Sequence, residues 1–181
     1  MSKFGVLSAF VLISALTAGL YGILHNQITY TISSDYFSAF KFKQFRIYPH
    51  QLGSTRMAVG IIGFLASWWM GIFIGLILGA MALLLKTHQQ MKVVLRNVLM
   101  LVLLITISSG ITGFLLSKLH WIQFEIPWGV TDELINKEAF LNVAAIHNFS
   151  YLGGVIGLMA GIVYLVLVGS KQKNKPTGTT L

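Results

Sequence analysis

Apolar residues run almost unbroken through four stretches of the chain, about 4–24, 56–85, 93–117 and 140–169, and polar residues crowd the connections between them. Each stretch reaches the roughly 20 mostly apolar residues that a helix needs to cross the hydrocarbon of a bilayer. None contains proline, so every backbone group can pair inside its own helix, as a medium without water demands. At ~1.5 Å per residue the second stretch rises ~45 Å, so it tilts or extends beyond the hydrocarbon. The pattern predicts an all-α, integral membrane four-helix bundle over residues 1–170. Two ordered extracytoplasmic loops (25–55 and 118–139), a short connection "KTHQQMK" and a disordered basic cytoplasmic tail at 171–181 complete it.

Composition sharpens this reading. Only 10% of residues are charged and 55% are hydrophobic, against about 25% charged in soluble domains. The net charge of +8 would point to nucleic acid in a soluble protein. Here the basic residues flank apolar stretches, which fits orientation in a membrane and contact with anionic lipid, and no nucleic-acid partner is expected. There is no cysteine, which excludes disulfides and thiolate metal sites. Lys3 before an apolar run resembles a signal peptide, but "SALTAGLYG" lacks a clean small-x-small cleavage site, so an uncleaved anchor is expected.

Charge sets an expected topology. With the N-terminus inside, Lys3, Lys86, Lys92, Arg96, Lys171, Lys173 and Lys175 are inside, and Lys41, Lys43, Arg46, Arg56, Lys118 and Lys137 are outside. The counts differ little, but the basic flanks of the short connection favour both termini on the cytoplasmic side.

Small residues recur at four-residue spacing. Gly71, Gly75 and Gly79 form one glycine stripe, and Gly153, Gly157 and Gly161 another. Ala15/Gly19, Ala18/Gly22 and Ser109/Gly113 add weaker pairs. Such stripes let membrane helices approach closely, so they are expected to pack the bundle. The same device could seam it to a second copy or another membrane protein.

Polar groups in a membrane are costly and mark interiors. Tyr21 and His25, and His147 and Tyr151, are i, i+4 pairs that each share a helix face. The first and fourth stretches run in opposite directions, so both histidines fall near one membrane surface. With Asn26, Asn148, Ser109 and Thr112 they form a candidate outer-leaflet polar pocket. The plain reading is that these groups hydrogen-bond one another and fix the bundle. One alternative is a metal or haem site with His25 and His147 as ligands, since neutral imidazole is the commonest metal ligand. Another is a site for a lipid-like ligand. His50 and His120 lie in loops on the same side, and His88 lies on the opposite side.

The loop "SSDYFSAFKFKQF" (33–45) mixes aromatic residues with lysine, which suits a membrane interface. It is expected over the bundle above His25, with Ser33 or Ser34 capping a short helix near Asp35 and with "FKFKQF" strand-like in its alternation. The other loop offers Trp121, Phe124 and Trp128 as interface anchors and Thr131 as a helix cap. The two loops carry opposite charge excess and are expected to dock together.

Tyr21, Gly22, His25, Asn26, Gln27, Thr29, Tyr36 and Phe37 resemble a Tyr–Gly–x–x–His–(Asp/Asn)–Gln–x–Thr pattern followed by Tyr–Phe. That pattern belongs to a family of small multi-pass bacterial membrane proteins. The resemblance spans residues 19–37 and implies a bacterial source and a four-helix plan, with no activity attached. No GxSxG, phosphate loop or paired intramembrane carboxylate occurs. No charge sits in mid-helix, which argues against a proton-coupled transporter. The expected role is a non-enzymatic structural or accessory module with membrane lipid as partner. A histidine-ligated electron-transfer protein and a lipid-modifying enzyme are the alternatives, and no particular cofactor is implied.

Overall fold

A computed structural model of the chain describes residues 2–122, 125 and 134–173. Phe124, Trp128, the Thr131 cap and the tail from residue 174 lie outside these residues. The described residues are all-helical, with no strand: α1 (Lys3–Ile32), a π-helical turn (Tyr36–Lys41) running into α2 (Phe42–Phe45), α3 (Pro49–Leu52), α4 (Thr55–Ala82), α5 (His88–Lys118) and α6 (Lys137–Lys173). Four of these helices are long and apolar enough to cross a membrane. Their outward faces carry large apolar side chains such as Leu12, Leu20, Phe73 and Val163, each more than half exposed. A soluble bundle would turn polar residues outward, so the four apolar helices suggest a multi-pass membrane protein.

Two expectations are corrected. The first helix runs to Ile32 rather than ending near Leu24. The hydroxyls of Thr29 and Thr31 donate to the carbonyls of His25 and Gln27, both at 3.0 Å. Gln27 Nε2 donates to Arg56 O at 2.9 Å, and Arg56 Nη1 returns a bond to Gln27 O at 2.8 Å. These polar side chains are spent on holding the helix end to the start of α4. The second correction is "FKFKQF", which is helical, not strand-like. Lys41, Phe42 and, in part, Phe45 turn inward while Lys43 and Gln44 are exposed, a helical period rather than a period of two.

Side-chain caps fix the helix starts. Ser2, Ser54 and Thr87 each accept from the backbone N–H three residues on, satisfying one otherwise orphaned donor. At the other end of α4, the Lys3 ammonium donates to the carbonyl of Leu83 at 3.1 Å and also to that of Leu85, where a cation suits a helix C-terminus.

Packing divides the bundle into two tight pairs, α1 with α4 and α5 with α6, which touch each other more sparsely. Glycine makes both seams. Gly22 and Gly63 meet backbone to backbone, so a Cβ on either would strike the other's carbonyl. Gly71 and Gly75 lie against Ser14, Ala15 and Val11, and Gly79 against Leu7. Across the other seam Gly153 lies on Ser109 and Thr106, Gly157 on Val102, and Gly161 on Val98 and the Leu78 side chain. Backbones this close supply the dispersion contact that holds helices together where lipid offers no hydrophobic driving force.

The core is layered along the bundle. At the end near the N-terminus, Val6, Phe10, Leu78, Leu95, Val98 and Leu165 form one apolar cluster. At the other end Tyr36, Phe37, Val59, Ile62, Phe140 and Val143 form a second. The π turn buries Tyr36, Phe37, Ala39 and Lys41, so this segment packs into the bundle end. Ser33 Oγ accepts from Tyr36 N at 3.3 Å. The Asp35 carboxylate reaches the other connection, where Oδ2 accepts from Ile135 N at 2.8 Å and Asn136 N at 2.9 Å. An exposed Lys118–Glu138 pair at 2.6 Å joins the ends of α5 and α6.

Candidate functional site

Between the two apolar clusters lies a polar layer built from α1 and α6. Tyr21 and His25 share a face of α1, and Tyr21 Oη lies 3.2 Å from His25 Nδ1. The same hydroxyl donates to Ser150 Oγ of α6 at 3.1 Å. The order Ser150–Tyr21–His25 is therefore continuous across the two helix pairs.

A second set adjoins it. The His147 and His25 rings meet edge to face with centroids 4.6 Å apart. His147 Nδ1 lies 3.0 Å from Val143 O and its Nε2 lies 3.2 Å from Asn26 Oδ1. Asn26 Nδ2 donates to Val59 O at 3.2 Å. Both groups facing His147 are acceptors, yet a neutral imidazole has one N–H. Turning the Asn26 amide would set Oδ1 against the Val59 carbonyl. The set therefore has one acceptor more than its donors satisfy.

The loop segment closes the site from above. The Tyr36 ring lies over His147 at 4.8 Å, tilted by 31°, and Phe37 is fully buried. Burial pushes the Tyr36 hydroxyl's pKa upward, so it stays protonated. Lys41 is only 6% exposed. Its ammonium donates to Gln44 Oε1 at 3.0 Å and sits 5.2–5.7 Å from the ring centroids of Tyr36, Phe40 and Phe45. Burial pulls its pKa down from 10.5 to about 8, and the three rings recover part of the cost of burying the cation.

Two hollows share the Tyr21–His25–Ser150 floor. One is a central chamber of about 90 Å³ between all four long helices. The other is a groove of about 420 Å³ between α1, α5 and α6, walled by Leu24, Ile28, Ile107, Ile111 and Phe114. Among the described residues no charged side chain lines either.

Of the residues singled out in the sequence, Tyr21, His25, Asn26 and His147 come together, and Tyr151 lines the chamber. Ser109 sits in the α5–α6 seam against Gly153. Thr112 is exposed, its hydroxyl spent on Ser108 O at 2.9 Å. Asn148 is exposed on α6. His50 stacks on Tyr48 and, like His120, lines neither hollow. Sequence reasoning did not single out Ser14, Thr17, Ser67, Tyr36 or Lys41 for the site. A signal existed for part of this set, because Ser14, Thr17, Tyr21 and His25 follow at spacings of three, four and four on α1.

The histidine pair does not fit two axial ligands of one haem. Axial imidazoles stand on opposite faces of a porphyrin, each nitrogen about 2 Å from its metal, whereas these rings touch. Both His147 nitrogens face other partners. Among the described residues no group of three His, Cys, Asp or Glu side chains could hold a metal ion. No protein-family model matches the chain, and no curated protein or solved structure does.

Proposed function

We propose that this chain is a multi-pass protein of the bacterial inner membrane, with both termini cytoplasmic, that holds a neutral lipid in the groove between α1, α5 and α6. The groove carries the reading. Its volume of about 420 Å³ falls in the range of small-molecule sites, about 300–1,000 Å³. Its walls are branched aliphatic side chains and its floor offers Tyr21, His25 and Ser150 as hydrogen-bond partners. It opens sideways, past Leu24, Ile28, Ile107 and Ile111, all exposed, toward the hydrocarbon that four apolar helices imply. The lack of a lining charge favours an uncharged head bearing a carbonyl or hydroxyl over a phosphate.

A binding role fits this floor better than a catalytic one. Ser150 contacts Tyr21 and not His25, so no base adjoins its hydroxyl. Residues 110 and 150 lie mid-helix, where backbone N–H groups are already paired and offer no oxyanion donors.

The test is lipid extraction and mass spectrometry of protein purified in mild detergent, wild type beside Ile111→Trp and Tyr21→Phe. One neutral lipid class should be enriched over the bulk membrane. Ile111→Trp, which fills the groove from its exposed edge, should abolish the enrichment, and Tyr21→Phe should reduce it. A wild-type profile equal to the bulk overturns the proposal.

A further inference from the structure

The two hollows meet at a chain of hydrogen bonds, and that chain has a direction. Tyr21 Oη has one proton and gives it to Ser150 Oγ at 3.1 Å. The 3.2 Å contact between Tyr21 Oη and His25 Nδ1 must then draw its proton from the histidine. A neutral imidazole has one N–H, so placing it on Nδ1 leaves Nε2 as a bare acceptor. Neutrality follows from the surroundings. Among the described residues no carboxylate lines either hollow, and an unpaired imidazolium inside hydrocarbon is costly.

No described residue hydrogen-bonds to His25 Nε2. His147 touches the ring edge to face, but both its nitrogens face oxygen acceptors elsewhere, Val143 O and Asn26 Oδ1. Nε2 is also within reach of a bound molecule. Among the described residues, the fully buried side-chain nitrogen and oxygen atoms without a partner are Ser14 Oγ and Asn142 Oδ1. His25 Nε2 is not one of them, so part of its surface is open, and His25 borders both hollows.

We infer that His25 Nε2 selects the groove's ligand by accepting a hydrogen bond, so that the bound head carries a hydroxyl. The ligand class is a neutral lipid alcohol, such as a diacylglycerol, and not a fully esterified lipid or a ketone. This rests on the lipid reading above and narrows it. A head with only carbonyl or ether oxygens would set lone pair against lone pair at Nε2. A hydroxyl supplies the missing proton, and a site built to hydrogen-bond a hydroxyl discriminates against the analogue that lacks it. Tyr21 acts as a positioning residue, because the hydrogen bond made by one ring nitrogen sets the state of the other. The walls around His25, Leu24, Ile28, Ile107 and Ile111 among them, offer the rest of the molecule only apolar contact.

Nitrogen NMR of the histidine-labelled full chain in phosphatidylcholine bilayers, a lipid without a hydroxyl, tests both steps. The His25 signals, assigned by their loss in His25→Phe, should show Nδ1 protonated and Nε2 bare. Titrated dioleoylglycerol should shift the Nε2 signal at a concentration about ten-fold below that needed for its O-methyl ether, the difference that one hydrogen bond makes. Tyr21→Phe should move the proton toward Nε2 and shrink that ten-fold preference. A protonated Nε2 in the wild type would overturn the inference, because the chain would then run from Ser150 to His25. Equal midpoints for alcohol and ether, or no shift with either, would overturn it too. So would a full preference that survives in Tyr21→Phe. Should that variant not fold, the wild-type comparison decides alone. Equal midpoints leave the lipid reading standing, whereas a lipid extract equal to the bulk membrane removes that reading and leaves the proton position to be read from its own signal.

Discussion

The residue on which the polar layer turns is Asn26. It is 3% exposed and its amide bridges Val59 O on α4 and His147 on α6, so one side chain ties both helix pairs together. Asn26→Leu removes both bonds and leaves His147 Nε2 facing an apolar group. Membrane hydrogen bonds contribute about 0.6–2 kcal/mol each, so the variant should lose about 1–3 kcal/mol in a reversible unfolding titration in mixed micelles. No change would mean that the network is idle. Lys41 makes a prediction about pH. Its pKa is about 8 in the fold against 10.5 when free. Below pH 8 the ammonium is charged in both states and its burial cost is fully present. Between about 8 and 10.5 the folded chain sheds the proton and the unfolded chain keeps it, so stability rises with pH across that window. Lys41→Met should flatten this slope and be neutral or stabilising at pH 7. An unchanged slope in the variant would assign it to another group. Neither residue's role was legible in the sequence. A lysine among aromatic residues reads as interfacial, and only the π turn reveals that it is turned inward.

At the scale of elements, the four apolar helices were legible because their length and continuity leave no other structure satisfied in lipid. Helix ends were less so. Gln27, Thr29 and Thr31 look like loop chemistry in a hydropathy profile, yet each hydrogen-bonds within the first helix or to the next. The glycine stripes announced close approach without saying which helices approach. The structure gives one stripe to the α1–α4 seam and the other to the α5–α6 seam. Gly63→Val therefore tests a single seam. Its side chain would strike the backbone of Gly22, and forced overpacking costs typically 1–3 kcal/mol, more where backbone rather than side chain must yield. The variant should fall by at least that amount in thermal melts, while Gly169→Val, with nothing within 4 Å, should not. The connections make a separate prediction. Asp35 accepts two backbone N–H groups from the exposed segment before α6 and ties that segment to the other connection. Asp35→Ala should speed proteolytic cleavage around residues 134–136 several-fold. Asp35→Asn, which keeps one acceptor oxygen, should fall between the two.

For the whole molecule the open quantity is direction across the membrane. Four spans place both termini on one side whatever that side is, and they place the 33–54 segment and the 83–87 connection on opposite sides. The basic residues divide almost evenly, but charge acts most strongly beside short loops, and Lys86, Lys92 and Arg96 bracket the shortest connection. We therefore expect that connection to be cytoplasmic and the Tyr36–Lys41 segment to face outward. The absence of cysteine makes the test direct, since each introduced thiol reports alone. Gln51→Cys and Gln89→Cys both place it at an exposed position. In intact cells a membrane-impermeant maleimide should label Gln51→Cys, and it should label Gln89→Cys only after permeabilisation. The reverse pattern would invert the protein and put the groove in the inner leaflet, with the four-span plan intact. Labelling of both positions from the same side would remove a span between residues 51 and 89. It would also leave α4 on the membrane surface, where its glycine seam with α1 could not form within the bilayer.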